Sequence, residues 1–144
     1  MKSLLITILL TCLLIGASYA EGNPKEVTKI SQNTILSLEN GLKSENLGLK
    51  SSCVYMLGEL KVSNTVIPLM RILRENENDE LRIAAALALY KIGTPMAIHA
   101  VKQSIRFDDS ERVSKHCASF YYEYRKNKFS DEEKNDYAVK TARK

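Results

Sequence analysis

Three strings of twelve residues, LKSSCVYMLGEL at 49–60, LRIAAALALYKI at 81–92 and VSKHCASFYYEY at 113–124, stand 32 positions apart and align without a gap. In the first, apolar residues fall at Leu49, Cys53, Met56, Leu57 and Leu60. In the second they are Leu81, Ala85, Ala88, Leu89 and Ile92, and in the third Val113, Cys117, Phe120, Tyr121 and Tyr124. Spacings of i, i+4, i+7, i+8 and i+11 trace one stripe along a helix, and nowhere does the strict alternation of a strand persist. The segments between repeat as well. TVIPLMRIL at 65–73 matches AIHAVKQSI at 97–105, and TILSLENGL at 34–42 takes the same place one step earlier, at an offset of 31. Their apolar triplets, Ile35-Leu38-Leu42, Val66-Leu69-Leu73 and Ile98-Val101-Ile105, again share one helical face. A fixed period of this size marks stacked repeats, in which each unit buries its apolar side only against its neighbours. The predicted fold is all-α.

The residues between the helices fit this division. Asn46, Asn64 or Thr65, and Thr94 are N-cap types whose side-chain oxygens accept from otherwise unpaired amides. Pro95 follows Thr94 at a first-turn position, and Pro68 falls within the first turn of its own helix. Gly93 stands where a helix ends on a left-handed residue. The acidic pairs Asp79-Glu80 and Asp108-Asp109 precede first-half helices and complement their positive ends. A leading helix is expected over about 26–43, with Ser31, Gln32, Asn33 and Ser37 outward. A final helix, opened by the capping box Ser130-Asp131-Glu132-Glu133, is expected to run to about Ala142. Its short apolar set, Tyr137, Ala138 and Ala142, predicts loose docking.

The strings at 49–73 and 81–105 resemble the short bacterial HEAT-like repeat (PBS-lyase-type HEAT repeats). That pattern has an aliphatic residue followed by Lys or Arg, a run of small residues, a Leu-Gly-x-Leu-Gly segment, a short turn and an aliphatic second helix. The likeness covers about 30–124. It departs at Lys61, which replaces the turn glycine of the first unit, at Tyr90, which replaces a mid-helix glycine in the second, and through the third unit. The resemblance implies a short right-handed α-solenoid of about three helix pairs. First-half helices would form its convex wall and second-half helices its concave wall.

The chain has 144 residues, 26% of them charged, with 6 Gly and 3 Pro. That is enough for one domain, too little for a TIM barrel, and poor in the turn residues of an all-β sandwich. Lys2, the apolar run 4–15 and the small-x-small ending Ser18-Tyr19-Ala20 read as a cleavable signal peptide, with an uncleaved anchor as the alternative. The run is shorter than the roughly 20 residues of a membrane span, so no stable span is expected after cleavage. The expected organisation is a signal peptide at 1–20, a repeat domain at 21–128, and a capping helix or loose basic tail at 129–144. Residues 21–124 carry 13 basic and 13 acidic side chains, whereas 125–144 carry seven and four. A balanced body gives no broad footprint for nucleic acid.

Cys53 and Cys117 occupy one slot two units apart, with Ala85 between them. Helices pack at about 8–10 Å, so the two are too far apart for a disulfide and are expected as buried free thiols. His99 and His116 lie on different helices, and no metal-ligand spacing appears. Phosphate loops, nucleophile elbows and other catalytic signatures are absent from the sequence after residue 20, so neither an enzyme nor a cofactor is expected.

Two constellations are candidates for binding. Lys43, Arg74 and Arg106 share one slot near the ends of successive second-half helices, beside a polar row of Asn40, Arg71 and Gln103, with Lys102 adjoining. On the concave wall they would form a basic ladder suited to carboxylates. Cations at helix C-termini also favour the macrodipole without any ligand. Tyr90 and Tyr122 share an outward slot over Gly58 and would make a surface aromatic stripe, with packing as the alternative. The expectation is an exported protein, periplasmic or extracellular, that binds another protein or peptide on its concave wall. The alternatives are an accessory protein resembling the bilin-lyase HEAT family and a homo-oligomeric envelope subunit stacked through its end faces.

Overall fold

A computed structural model describes residues 30–142 of the chain. The expected signal peptide at 1–20, with Cys12, lies outside the described residues, as do positions 26–29 of the expected leading helix. Six α-helices follow in order: α1 (Gln32–Gly41), α2 (Leu47–Glu59), α3 (Val66–Glu75), α4 (Asp79–Ile92), α5 (Pro95–Phe107) and α6 (Glu111–Ala142). A 3-10 turn, Ser63–Thr65, leads into α3, and the described residues contain no strand.

The first-half helices stack on one another, α2 against α4 and α4 against α6, while α3 packs on α4 and α5 on α6. Side-chain pairs 32 residues apart mark this register directly. Lys91 of α4 pairs with Glu59 of α2, and Arg112 of α6 pairs with Glu80 of α4. At the joint of α2 and α4 a Cβ added to Gly58 would lie 2.6 Å from Ala88 Cα, so the two helices approach to backbone contact. One unit on, the equivalent residues are Tyr90 and Phe120, whose rings stack with centroids 5.9 Å apart. Glycine against alanine and tyrosine against phenylalanine thus fill the same position in successive joints.

The core is continuous and follows the sequence triplets. Leu57, Leu69, Leu73, Leu89, Val101 and Val113 are fully buried, and Leu81, Ala85 and Ala88 close to it. Cys53 and Cys117 are both free and buried, in the slot that Ala85 fills between them. Two residues expected in the core are not there. Leu49 is 51% exposed and Met56 43%. Their counterparts Leu81 and Ala88 are buried, and Ala88 meets Gly58 on the first-half helix one step back. Among the described residues no first-half helix precedes α2, so the same slots are open. Conversely, Val54 and Ala86 are fully buried without belonging to the stripe, because a stacked helix has a neighbour on its flank as well as beneath it.

Local signals act as their chemistry requires. Asn46 accepts from the Leu49 amide at 3.0 Å, and Thr94 accepts from the Ala97 amide at 3.3 Å, with Pro95 at the first helical position. Gly93 adopts φ +71°, and Lys61, its counterpart, is held at φ +49°. A left-handed turn is therefore imposed at both places, once on a residue with a side chain. Other expectations need correction. The leading helix begins at Gln32, capped by Ser31, later than expected. Thr65 occupies the cap position of α3 without capping it, because its hydroxyl is buried and donates to the Val62 carbonyl at 2.7 Å. Asn78, not singled out in the sequence, caps α4 through the Leu81 amide.

The final helix expected from Ser130 is not separate, for α6 passes through it without a break, and the boundary drawn at 128 falls inside that helix. The slot of Lys61 and Gly93 holds Arg125, a good helix former, with neither glycine nor proline up to Ala142 to end the helix. The Ser130 hydroxyl donates back to the Asn127 carbonyl at 2.9 Å instead of capping a new start. The expected loose docking through Tyr137, Ala138 and Ala142 concerns side chains outside the described ones.

Candidate functional site

The residues expected to form the basic ladder all reach solvent. Arg74 and Arg106 lie in the last turns of α3 and α5, and Lys43 follows the C-cap residue Leu42 of α1. All three are exposed, as are Asn40, Arg71, Lys102 and Gln103. None of Lys43, Arg71, Arg74 and Arg106 forms an ion pair among the described residues, whereas Arg82, Lys91, Arg112 and Lys115 all do. Unpaired cations at helix ends complement the macrodipole and stay available to an anionic group.

Two clefts adjoin this surface. The first, about 350 Å³, brings Arg74 of α3 together with Gln103 and Phe107 of α5 and with Arg82, Asp108 and Asp109. The second, about 450 Å³, lies between α5 and α6 and takes in His99, Lys102, Tyr121, Tyr124 and Arg125. Within it the Lys102 ammonium lies 5.8 Å from the centre of the Tyr121 ring. His99 Nε2 lies 3.4 Å from the Gln103 amide nitrogen, tying the first cleft to the second. Lys43, Arg71 and Arg106 enter neither cleft.

The first cleft rests on a polar cluster that joins Asp79 and Asp108, both expected only as helix-start acids, to Arg82 and Ser110. Arg82 of α4 bonds Asp79 at 2.6 Å and Asp108 at 3.2 Å, and the Ser110 hydroxyl donates to the second oxygen of Asp79. Asp108 also accepts from the Ser110 amide at 2.9 Å. Ser110 Oγ in turn accepts from the Val113 amide at 3.4 Å, at the start of α6. Ser110 and Arg82 together hold the Asp79 carboxyl below the usual carboxylate range. The cluster pins the turn between α5 and α6 to the start of α4, which fixes Gln103 and Phe107 relative to Arg74. The i, i+3 spacing of Asp79 and Arg82 was the available signal. Asp108 lies 26 residues further on and showed none.

The aromatic residues divide. Tyr90 is half-buried, its ring covered by Phe120, which also lies 6.1 Å from His116. Tyr122 stands 67% exposed. The expected stripe of Tyr90 and Tyr122 therefore does not form, because the stacking of α4 on α6 consumes the face of Tyr90. Phe120, Tyr121 and Tyr124 are half-buried along α6. Burial pushes the Cys117 thiol up to about 12, with Asp108 adding to the effect, so its thiolate form is disfavoured at neutral pH. Among the described residues no group of three or more His, Cys, Asp or Glu side chains converges as a metal site would require. No described helix is long and apolar enough to cross a membrane.

A family model for HEAT repeats matches residues 35–119, more than half of the chain. A search of curated proteins returns no match. The matched residues span the two complete helix pairs, α2 with α3 and α4 with α5, together with most of α1 and the first turns of α6. With paired helices stacked at a period of 32 and the family pattern running through them, the chain belongs to the HEAT-repeat family.

Proposed function

We propose that this is an exported, non-enzymatic scaffold that holds a partner protein or peptide on the wall formed by its second-half helices. HEAT repeats commonly mediate protein–protein interaction. The observation that carries the finer reading is the set of exposed cations at matched positions at the C-terminal ends of α1, α3 and α5: Lys43, Arg74 and Arg106, none in an ion pair with a described residue. Arg71, Lys102 and Gln103 would supply further polar contacts, and a partner bearing carboxylates at about 10 Å intervals would match the rungs. Export rests on the sequence of residues 1–20, and its site of action would be the periplasm or the extracellular space.

The test reverses two rungs at once. Arg74→Glu with Arg106→Glu changes exposed residues only, so the fold is retained while captured partners are lost. Retention of every partner by the double variant removes the wall from the account. Export is checked by the mass of the protein recovered from a non-cytoplasmic fraction, which is expected to start at Glu21.

A further inference from the structure

Among the described residues the first helix, α1, is of the second-half kind and the last, α6, of the first-half kind. The pattern stops at the same points in the sequence. Thirty-two residues before Leu49, Cys53 and Met56 stand Ala17, Glu21 and Pro24, and thirty-two after Ile98, Val101 and Ile105 stand Ser130, Glu133 and Tyr137. Solenoid ends normally carry polar outer faces. Here the outer face of α2 shows Leu49 and Met56, and α6 shows Tyr122.

These exposed residues occupy the slots that make the internal joints. Gly58 meets Ala88 between α2 and α4, and Tyr90 stacks on Phe120 between α4 and α6. The next pair in that series is Tyr122 with Met56 of another molecule, an aromatic ring against a thioether. The small buried row of α5, Ala97, Ala100 and Ser104, has Thr34, Ser37 and Gly41 as its counterparts on α1. We propose that the chain associates head to tail with a second copy. In this assembly α6 of one copy stacks on α2 of the next, and α1 of the next lies beside α5 as α5 lies beside α3. Such a contact joins two different faces, so it closes into a ring or continues as a filament. It uses the end faces and is independent of the partner wall proposed above.

The charges set its strength. Lys91 pairs with Glu59 across the internal joint, but the matching residue of α6 is Glu123, which would meet Glu59 of the neighbouring copy. The joint between copies is thus weaker than the internal ones and reversible.

Sedimentation equilibrium of the purified, naturally processed protein tests this. The average mass is expected to rise with concentration past that of a dimer. Met56→Lys and Tyr122→Lys each weaken association by on the order of tenfold or more. Mixed together, the two variants form a one-to-one dimer and stop, because only one intact joint remains. Glu123→Lys tightens association roughly fivefold, read as a reversible equilibrium in a variant whose circular dichroism and melting match the parent, which sets it apart from aggregation of misfolded chains. A chain that stays monomeric, a closed dimer that does not grow, or failure of the two variants to pair overturns the proposal.

Discussion

Replacing Gly58 by alanine tests the stacking of α2 on α4 through the sign of its effect. In an exposed helix the change would stabilise by about 1 kcal/mol, because alanine has the higher helix propensity. Here the new methyl would stand 2.6 Å from Ala88 Cα and 2.8 Å from Ala88 Cβ. The obstructing atoms include backbone, so no rotamer change relieves the clash and the two helices must move apart. Overpacking of this kind costs about 1–3 kcal/mol, more where backbone is displaced. The propensity gain offsets part of that, leaving a net loss of about 2 kcal/mol. For a domain of this size the melting temperature falls by about 8–10 °C. Urea unfolding followed by circular dichroism should show a midpoint lower by about 1 M with little change in slope. Ala88→Gly in the same chain recovers only part of the loss, since the new methyl still presses on the backbone at position 88. A Gly58→Ala protein more stable than the parent would mean that these helices do not meet at this register.

The remaining predictions follow from local geometry. Lys61→Gly relieves a left-handed turn and is expected to raise stability by about 0.5–1 kcal/mol in urea titrations, while Gly93→Ala lowers it by about 1 kcal/mol. No change in either would show that the φ values of +49° and +71° do not govern those turns. In a Cys53→Ala chain, Cys117 should react with a thiol reagent at pH 8 only as fast as the protein opens. Rapid labelling of the folded protein would contradict its burial and its raised pKa. The Asp79 carboxyl is held below its unfolded value by Ser110 and Arg82. The stability it contributes is therefore present above about pH 4 and is lost as the pH falls through the folded-state value. Asp79→Asn should flatten the urea midpoint between pH 2 and 5, and an unchanged slope would exclude this carboxyl as a source.

Periodicity made the helices and their neighbours legible, because equivalent slots in a stacked array share an environment. Leu57, Leu89 and Tyr121 could be aligned with no knowledge of packing angles. It failed where neighbours differ. Leu49 and Met56 match buried residues one unit on, yet among the described residues no first-half helix lies beside α2 to cover them. Tyr90 matches Gly58 and Tyr122, but only Tyr90 has Phe120 to stack on, so one of the two expected surface rings is covered. The long α6 went unread because a capping box signals a start only where the preceding helix ends, and Arg125 gives no end. The exposed positions of Lys43, Arg74 and Arg106 could be singled out because they repeat. The Asp79–Arg82–Asp108 cluster was not, since Asp108 sits in a turn and pairs across the fold without a periodic partner.

The central claim, that three first-half helices lie side by side at a spacing of 32 residues, is open to one distance. With Cys53 and Cys117 replaced by alanine, as Ala85 already fills that slot, spin labels at Tyr55 and Ser119 sit on the exposed side of α2 and α6. Two rungs of about 8–10 Å each place them on the order of 20 Å apart by pulsed electron paramagnetic resonance, with α4 between. A single narrow distance in that range supports the stack. A separation of one rung, or one beyond about twice the expected value, would mean that α2, α4 and α6 are not consecutive neighbours.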